Sequence, residues 1–288
     1  MTASHSERQV AAAETASDDA KATPQSQPHA EISERDGVIT VTLSRPDKLN
    51  PVSPEVTAAL WEATLAFGER DDLRVMVITG VGRFMSSGLD LKLGHGTRLP
   101  GKEAPGFGWR RGYRSHHLLY DEMEAIEKPI ILAANGPCMG AAMEMALSCD
   151  FRFCTPETTW ALPEVRLGSV PGSGGASRLT RLVGSHWSKW IAMAGQEVDA
   201  TDARMMGLVH RIVPAAELME QVDAFANSLM DLHAETMGMI KLVIDMCDPQ
   251  DREKARQVER LANTDLVHRG AGERAAGHRM PSAASERQ

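Results

Sequence analysis

Short β-branched apolar runs alternate, along the middle of the chain, with longer segments in which apolar positions recur at helical spacing. "GVITVTL" (residues 37–43) alternates apolar and polar positions as a half-buried strand does. "SPEVTAALWEATLAF" follows it, with Ser53 in the N-cap position and Pro54 at the first helical position, where a missing N–H is no loss. "LRVMVITG" (73–80) and "KPIILAANG" (128–136) are continuous apolar runs, the pattern of strands covered on both faces. A long polar loop lies between them and leads into a predicted helix over 113–126. A small-residue turn and an apolar helical segment containing Glu144 come next, then a short strand, "DFRFCT" (150–155). Strand and helix alternating in this way predict parallel βαβ units with helices on both faces of one sheet. Beyond about residue 174 the pattern is mainly helical, apart from one strand-like run, "LVHRIV" (208–213), and no internal repeat is present.

Composition sets the limits of this picture. With 288 residues, 42% of them hydrophobic, the chain can bury a full core. Residues 1–33 are rich in Ala, Ser, Gln, Pro and charge without a hydrophobic period, and read as a disordered tail. The acids Glu7, Glu14, Asp18 and Asp19 argue against a mitochondrial transit peptide, and no apolar core of a signal peptide is present there. The division expected is a folded core over 34–230, a C-terminal helical region over 231–269 and a flexible tail over 270–288. A balance of 31 basic against 39 acidic residues, net −8, offers no footprint for nucleic acid. No run approaches the roughly 20 apolar residues of a membrane-spanning helix, so no membrane association and a cytoplasmic location are expected. Cys138, Cys149, Cys154 and Cys247 sit in apolar stretches without CxxC spacing and read as reduced core thiols rather than metal ligands or a disulfide framework. The 16 methionines, clustered in "MEM", "RMMG" and "MGMI", read as adaptable packing.

Chemistry in parallel sheets collects outside the carboxyl ends of the strands. Two glycine-rich turns stand there: "GVGRFMSSGLDLK" (80–92) and "NGPCMGAAME" (135–144). Small residues let a ligand approach the backbone, and exposed amide donors are the expected product. Neither turn has the spacing of a phosphate-binding loop, and "SVPGSGGASRL" (169–179) lacks that of a dinucleotide fingerprint.

Four blocks taken together carry a resemblance: "SRPDKLN" (44–50), "FMSSGLDLK" (84–92), "NGPCMGAAMEMALSCDFR" (135–152) and "WALPEVRLGSVPGSGGASRL" (160–179). In order and spacing they resemble the enoyl-CoA hydratase/isomerase, or crotonase, superfamily over roughly residues 32–230. The resemblance implies an α/β fold, a spiral of ββα units with a C-terminal helical trimerisation region, assembled as a homotrimer or homohexamer. It implies an acyl-CoA thioester as substrate, with coenzyme A entering as part of that substrate and no separate cofactor or metal. Carried onto this chain, the backbone amides of Leu89 and Ala141 form the oxyanion hole, and Glu144 and Glu164 are the catalytic acids. Lys48, Leu49, Ser87, Gly88, Asp90, Leu91, Lys92 and Gly140 line the substrate and its CoA moiety, where Lys48 and Lys92 can meet phosphates. Ala141 stands where glycine is common in the family.

Read alone and without that resemblance, Glu144 is first of all a first-turn acid favoured by the helix dipole. Paired with Glu164 it acquires a chemical reason. Adding water across the C2–C3 double bond of an enoyl thioester needs a base at the attacking water and a proton at C2, and two carboxyls flanking one water meet both needs. Burial near Met143, Met145 and Val165 is expected to move a carboxyl pKa towards neutrality. Family members that only shift a double bond generally use one acid at the Glu164 position, so the pair favours a hydratase. The alternatives are an enoyl-CoA isomerase or another acyl-CoA-processing member, and a non-catalytic RNA- or protein-binding homologue, which the net charge of −8 and the retention of both acids disfavour. An insert over 94–117, with Phe107, Trp109, Tyr113, His116 and His117, reads as an acyl-pocket wall or a lid, and Trp160 reads as core. The C-terminal stretch lacks the aromatic residue and basic finish common in the family.

Overall fold

Successive side chains of the central strands divide between two apolar cores, and that division organises the molecule. The structure, a computed structural model, describes residues 28–93, 106–247 and 256–262, with the side chains of 106–113 excepted. The expected tails at 1–27 and 270–288, the first part of the insert and the side chains of Phe107, Trp109 and Tyr113 lie outside the described residues. A six-stranded sheet runs β1 (Ala30–Arg35), β2 (Val38–Leu43), β3 (Val75–Gly80), β4 (Ile130–Ala134), β6 (Phe151–Cys154), β9 (Arg211–Ile212). Among the described strands of this sheet, β1 and β2 pair antiparallel and the other neighbours pair parallel.

Met76, Ile78, Ile130 and Leu132 pack with Leu60 and Phe67 of α1 (Pro54–Glu69) and with Leu119, Tyr120 and Met123 of α2 (Gly106–Ala125). Val75, Val77, Ile131 and Ala133 join Leu218, Val222, Ala226 and Leu229 of α6 (Leu218–Met230). Both faces of the sheet are covered, which is why β3 and β4 are apolar throughout. The Ser53 side chain accepts from the Val56 N–H at 3.3 Å, with Pro54 opening α1. Ser53→Ala is expected to lower stability by about 1 kcal/mol, read as a reduced denaturation midpoint; an unchanged midpoint would mean that the cap contributes nothing.

Several boundaries differ from the sequence reading. β1 begins at Ala30, inside the stretch expected to be a disordered tail. "AEISER" is a polar edge strand with little apolar period, held by a two-residue turn at Asp36 (φ 50°) and Gly37 (φ 82°), and that Asp-Gly pair was the hairpin signal. α2 starts seven residues earlier than residue 113, because Gly106, Gly108 and Gly112 disguise its first turns as loop. A second sheet of three strands, β5 (Cys138–Met139), β7 (Thr159–Ala161) and β8 (Val198–Asp199), has strands too short to show any period. The strand pairs β1β2, β4β5 and β6β7, followed by α1, α3 (Ala141–Ala146) and α4 (Gly175–Ser188), make up the ββα pattern. Cys138, Cys149 and Cys154 are buried thiols as expected, whereas Cys247, near the end of α7 (Ala234–Cys247), is only half-buried. Among the described residues no helix is long and apolar enough to cross a membrane.

Candidate active site

The two glycine turns meet. Ser86 and Cys138 form an isolated bridge, with the Met139 N–H donating to the Ser86 carbonyl and the Ser86 N–H to that of Pro137, both at 3.1 Å. Gly88 adopts φ 89°, and a Cβ there would lie 2.8 Å from the Met139 carbonyl oxygen and 3.5 Å from the Ala141 nitrogen. Glycine is what lets these backbones touch. A third loop joins them, since the Ser87 N–H donates to the Leu49 carbonyl at 2.9 Å and the Val52 N–H to that of Gly88 at 2.8 Å. Lys48, Leu49, Ser87, Gly88, Leu89, Gly140 and Ala141 are thereby gathered at one end of the parallel strands. Gly140 spends its N–H on the Ala161 carbonyl of β7. Among the described residues neither the Leu89 nor the Ala141 N–H meets an acceptor; the latter is one of the orphan donors that open α3.

Not every residue of this group faces outwards. Lys48, Ser87, Leu91 and Lys92 are exposed, and Lys48 pairs with Asp47. Asp90 is buried, and its carboxylate accepts from Arg45 at 3.2 Å and from the Lys92 and Leu93 amides, so its side chain serves the shape of the loop.

Glu144 is 3% exposed, and its Oε1 accepts from the Ser173 N–H at 2.7 Å and the Gly175 N–H at 3.1 Å. It does not cap α3, whose N-cap, Gly140, has no side-chain partner. Its carboxylate reaches across to another loop, which removes the helix-dipole reading as its main role. Burial raises its pKa, while the two amides and the Arg178 cation pull the other way.

Glu164 lies in a 3₁₀ turn, Pro163–Leu167, beside Gly140, where a Cβ would come within 3.0 Å of the Glu164 Oε1. Burial, supplemented by the nearby Glu144 charge, pushes the Glu164 carboxyl up to about 7. Its Oε2 is buried without a hydrogen-bond partner among the described residues. Val165, expected to help bury the acids, is itself 44% exposed and lies against Gly195.

The Ser173 and Gly175 amides were not recognised in the sequence, although three glycines and a proline crowded before a helix start were the visible signal. The turn tolerates little change. A Cβ on Gly175 would sit 2.8 Å from the Glu144 Oε1 and 2.8 Å from the Pro171 Cβ. Gly175→Ala should lower activity by about a hundredfold, the penalty of displacing a reacting group by roughly an ångström, with the fold retained. Undiminished kcat in that variant would show that the placement of the Glu144 carboxyl is not critical.

His116 is buried against the Thr57 hydroxyl, and His117 contacts the Gly172 carbonyl, so the two adjacent rings go to different places. Trp160 is fully buried. Among the described residues no three His, Cys, Asp or Glu side chains are placed to hold a metal ion. A cavity of about 510 Å³ lined by Glu124, Asp150, Lys241 and Ile244 includes neither catalytic candidate.

A profile of the family described as enoyl-CoA hydratase/isomerase matches residues 33–271. The chain belongs to the enoyl-CoA hydratase/isomerase family. Carnitinyl-CoA dehydratase of Salmonella typhi is 36% identical over 196 residues, 67% of this chain and 71% of that protein. Among solved structures, the enoyl-CoA hydratase from Polaromonas sp. JS666 superposes with a TM-score of 0.78 at 25% identity, covering 86% of this chain and 95% of that one. A Thermobifida fusca YX structure in complex with CoA gives a TM-score of 0.76 at 26% identity, covering 85% and 95%. The crotonase fold implied by the four sequence blocks is therefore the fold of this family member.

Proposed function

We propose that the protein is an enoyl-CoA hydratase, a hydro-lyase acting on a 2-enoyl-CoA thioester. The observation that carries this reading is the pair of unlike carboxyls. Glu144 is held by two N–H donors that favour its anion, and Glu164 has a pKa raised to about 7 and an unpartnered oxygen. Burial raises both carboxyls, and it is their unlike partners, donors around Glu144 and none on the Glu164 Oε2 among the described residues, that divide base from acid.

In this reading the thioester carbonyl oxygen sits between the Leu89 and Ala141 N–H groups, which stabilise the enolate charge that develops in the transition state. Glu144 takes a proton from the water attacking C3, and protonated Glu164 delivers one to C2. Passing one proton from Glu144 to Glu164 restores the starting state. The reverse reaction eliminates water from a 3-hydroxyacyl thioester through the same groups, and the likeness to a carnitinyl-CoA dehydratase supports assaying that direction too. The Lys48–Leu49 and Ser87–Lys92 loops would receive the CoA moiety, with the two lysines towards its phosphates; the CoA-bound Thermobifida relative supports this. Coenzyme A enters as part of the substrate, and no other group is invoked.

The test follows the ultraviolet absorbance of conjugated 2-enoyl-CoAs of short, medium and aryl-substituted kinds. Absorbance is expected to fall, and inertness towards all of them would remove the hydratase reading. A non-conjugated 3-enoyl thioester that instead gains absorbance, with Glu164 alone required, would establish an isomerase.

The sign of the pH dependence follows from the raised Glu164 pKa. A carboxyl titrating near 7 holds its proton below that pH and loses it above, so kcat/KM should decline as pH rises through about 7. A profile flat to pH 9 would contradict the assignment of Glu164 as acid. Assembly as a homotrimer or homohexamer belongs to the same proposal, and light scattering after size exclusion decides it. Exposed Leu167, Val170, Met193 and Met205 support association.

A further inference from the structure

Buried arginines are costly unless their donors are all used, and Arg178 is 3% exposed. Its Nη1 donates to the Ser173 carbonyl at 3.1 Å, its Nη2 to Asp121 at 2.5 Å and its Nε to Glu124 at 2.8 Å. Ser173 is thus held at both ends of its peptide groups: its carbonyl by Arg178, its N–H by Glu144. The guanidinium lies directly under the turn, for a Cβ on Gly174, which adopts φ 92°, would fall on Nη1.

The side chains that hold this arrangement come from one helix. His117, Tyr120, Asp121 and Glu124 of α2 stand at helical spacing on one face. His117 contacts the Gly172 carbonyl, Asp121 and Glu124 take Arg178, and the Tyr120 hydroxyl donates to the Ala141 carbonyl at 3.2 Å. One helix face therefore registers the turn that holds Glu144 and the first residue of the short helix that carries it.

We propose that Arg178 is a positioning residue for Glu144, acting through the Ser173 peptide and itself fixed by Asp121 and Glu124. This rests on Glu144 being the catalytic base. Arginine is required because its planar fork reaches three acceptors in fixed directions, which a lysine ammonium at the end of a flexible stem does not reproduce. A buried apolar side chain of similar volume could fill the space, so packing alone does not explain the residue. Arg178 also acts electrostatically. The charged and titratable groups facing Glu144 are Arg178 from α4, Glu164 from the 3₁₀ turn and Tyr120 from α2, and of these only Arg178 favours the Glu144 anion.

The test compares Arg178→Met and Arg178→Lys with the unsubstituted protein, using crotonyl-CoA hydration across pH together with thermal denaturation. Arg178→Met should lower kcat by about a hundredfold with KM little changed, the signature of a displaced reacting group. Its acid limb should move to higher pH, because the cation favouring the Glu144 carboxylate is gone. Arg178→Lys should keep the acid limb in place and recover part of kcat. A merely structural arginine would give lowered denaturation midpoints with an unmoved acid limb, and that result overturns the proposal. If Arg178→Met does not fold, Arg178→Lys decides alone: undiminished kcat there overturns the proposal, and a reduced kcat at unchanged KM supports it.

Failure of the underlying reading is separable. Full hydration by Glu144→Gln removes the base assignment itself, whereas an inactive Glu144→Gln beside a fully active Arg178→Met removes only the positioning role. A substrate-free arm titrates carboxyl-labelled glutamates by carbon-13 NMR, with Glu144→Gln assigning the signal. The Glu144 titration should move to higher pH in Arg178→Met, and an unmoved titration overturns the proposal.

Discussion

Glu144→Gln is expected to lower kcat for hydration of crotonyl-CoA by roughly 10²- to 10⁴-fold, the usual contribution of a positioned general base. The substitution isolates the chemistry. Glutamine has the size of glutamate, and its amide oxygen can still accept from the Ser173 and Gly175 N–H groups, which lie 2.7 and 3.1 Å from the carboxylate oxygen. The turn and α3 should therefore stay in place, with an unchanged far-ultraviolet circular dichroism spectrum and a denaturation midpoint no lower than before. What is lost is the ability to take a proton from water. Dehydration of the matching 3-hydroxyacyl thioester must fall by the same factor in kcat/KM, since both directions share one transition state. Wild-type hydration rates in this variant would show that some other group activates the water.

Glu164→Gln is expected to have an effect of similar size by a different route, because an amide has no proton to give to C2. Its second signature is the pH profile. The fall of kcat/KM through about pH 7 should disappear from whatever activity remains, since the group titrating there has been removed. Glu144 and Glu164 influence each other electrostatically, so each limb belongs partly to the pair. Without the Glu144 charge Glu164 should lose its proton more easily, and the residual activity of Glu144→Gln should decline at lower pH than in the unsubstituted protein. An unaltered alkaline limb in Glu164→Gln would reassign the acid. The two variants together also divide the family's reactions: double-bond migration in a 3-enoyl thioester that survives Glu144→Gln but not Glu164→Gln identifies an isomerase.

Much of the framework was readable along the chain because it rests on local chemistry. Ser53 and Pro54 mark the start of α1, and the uninterrupted apolar runs of β3 and β4 reflect two covered faces. The four motif blocks led to the family that the profile over residues 33–271 establishes. Polar edge strand β1, the glycine-studded first turns of α2 and the two- and three-residue strands β5, β7 and β8 were not readable, since each is held by pairing partners rather than by its own periodicity.

The candidate site divides in the same way. Glu144 and Glu164 were singled out as a pair from sequence, and the small residues at 88 and 140 announced close backbone approach. Residue type does not reveal partners. Asp90, counted among the substrate-lining positions, turns its carboxylate to Arg45 and its own loop, and Val165, expected to bury the acids, packs elsewhere. That Glu144 is held by the Ser173 and Gly175 amides, and Ser173 in turn by Arg178 through its carbonyl, depends on α2, α3 and α4 converging from positions more than 20 residues apart. Strand, helix and cap follow from neighbours in the chain, because their energetics are local. The proton affinity of a carboxyl depends on which distant amides, cations and apolar walls replace water around it, and only the tertiary structure decides that.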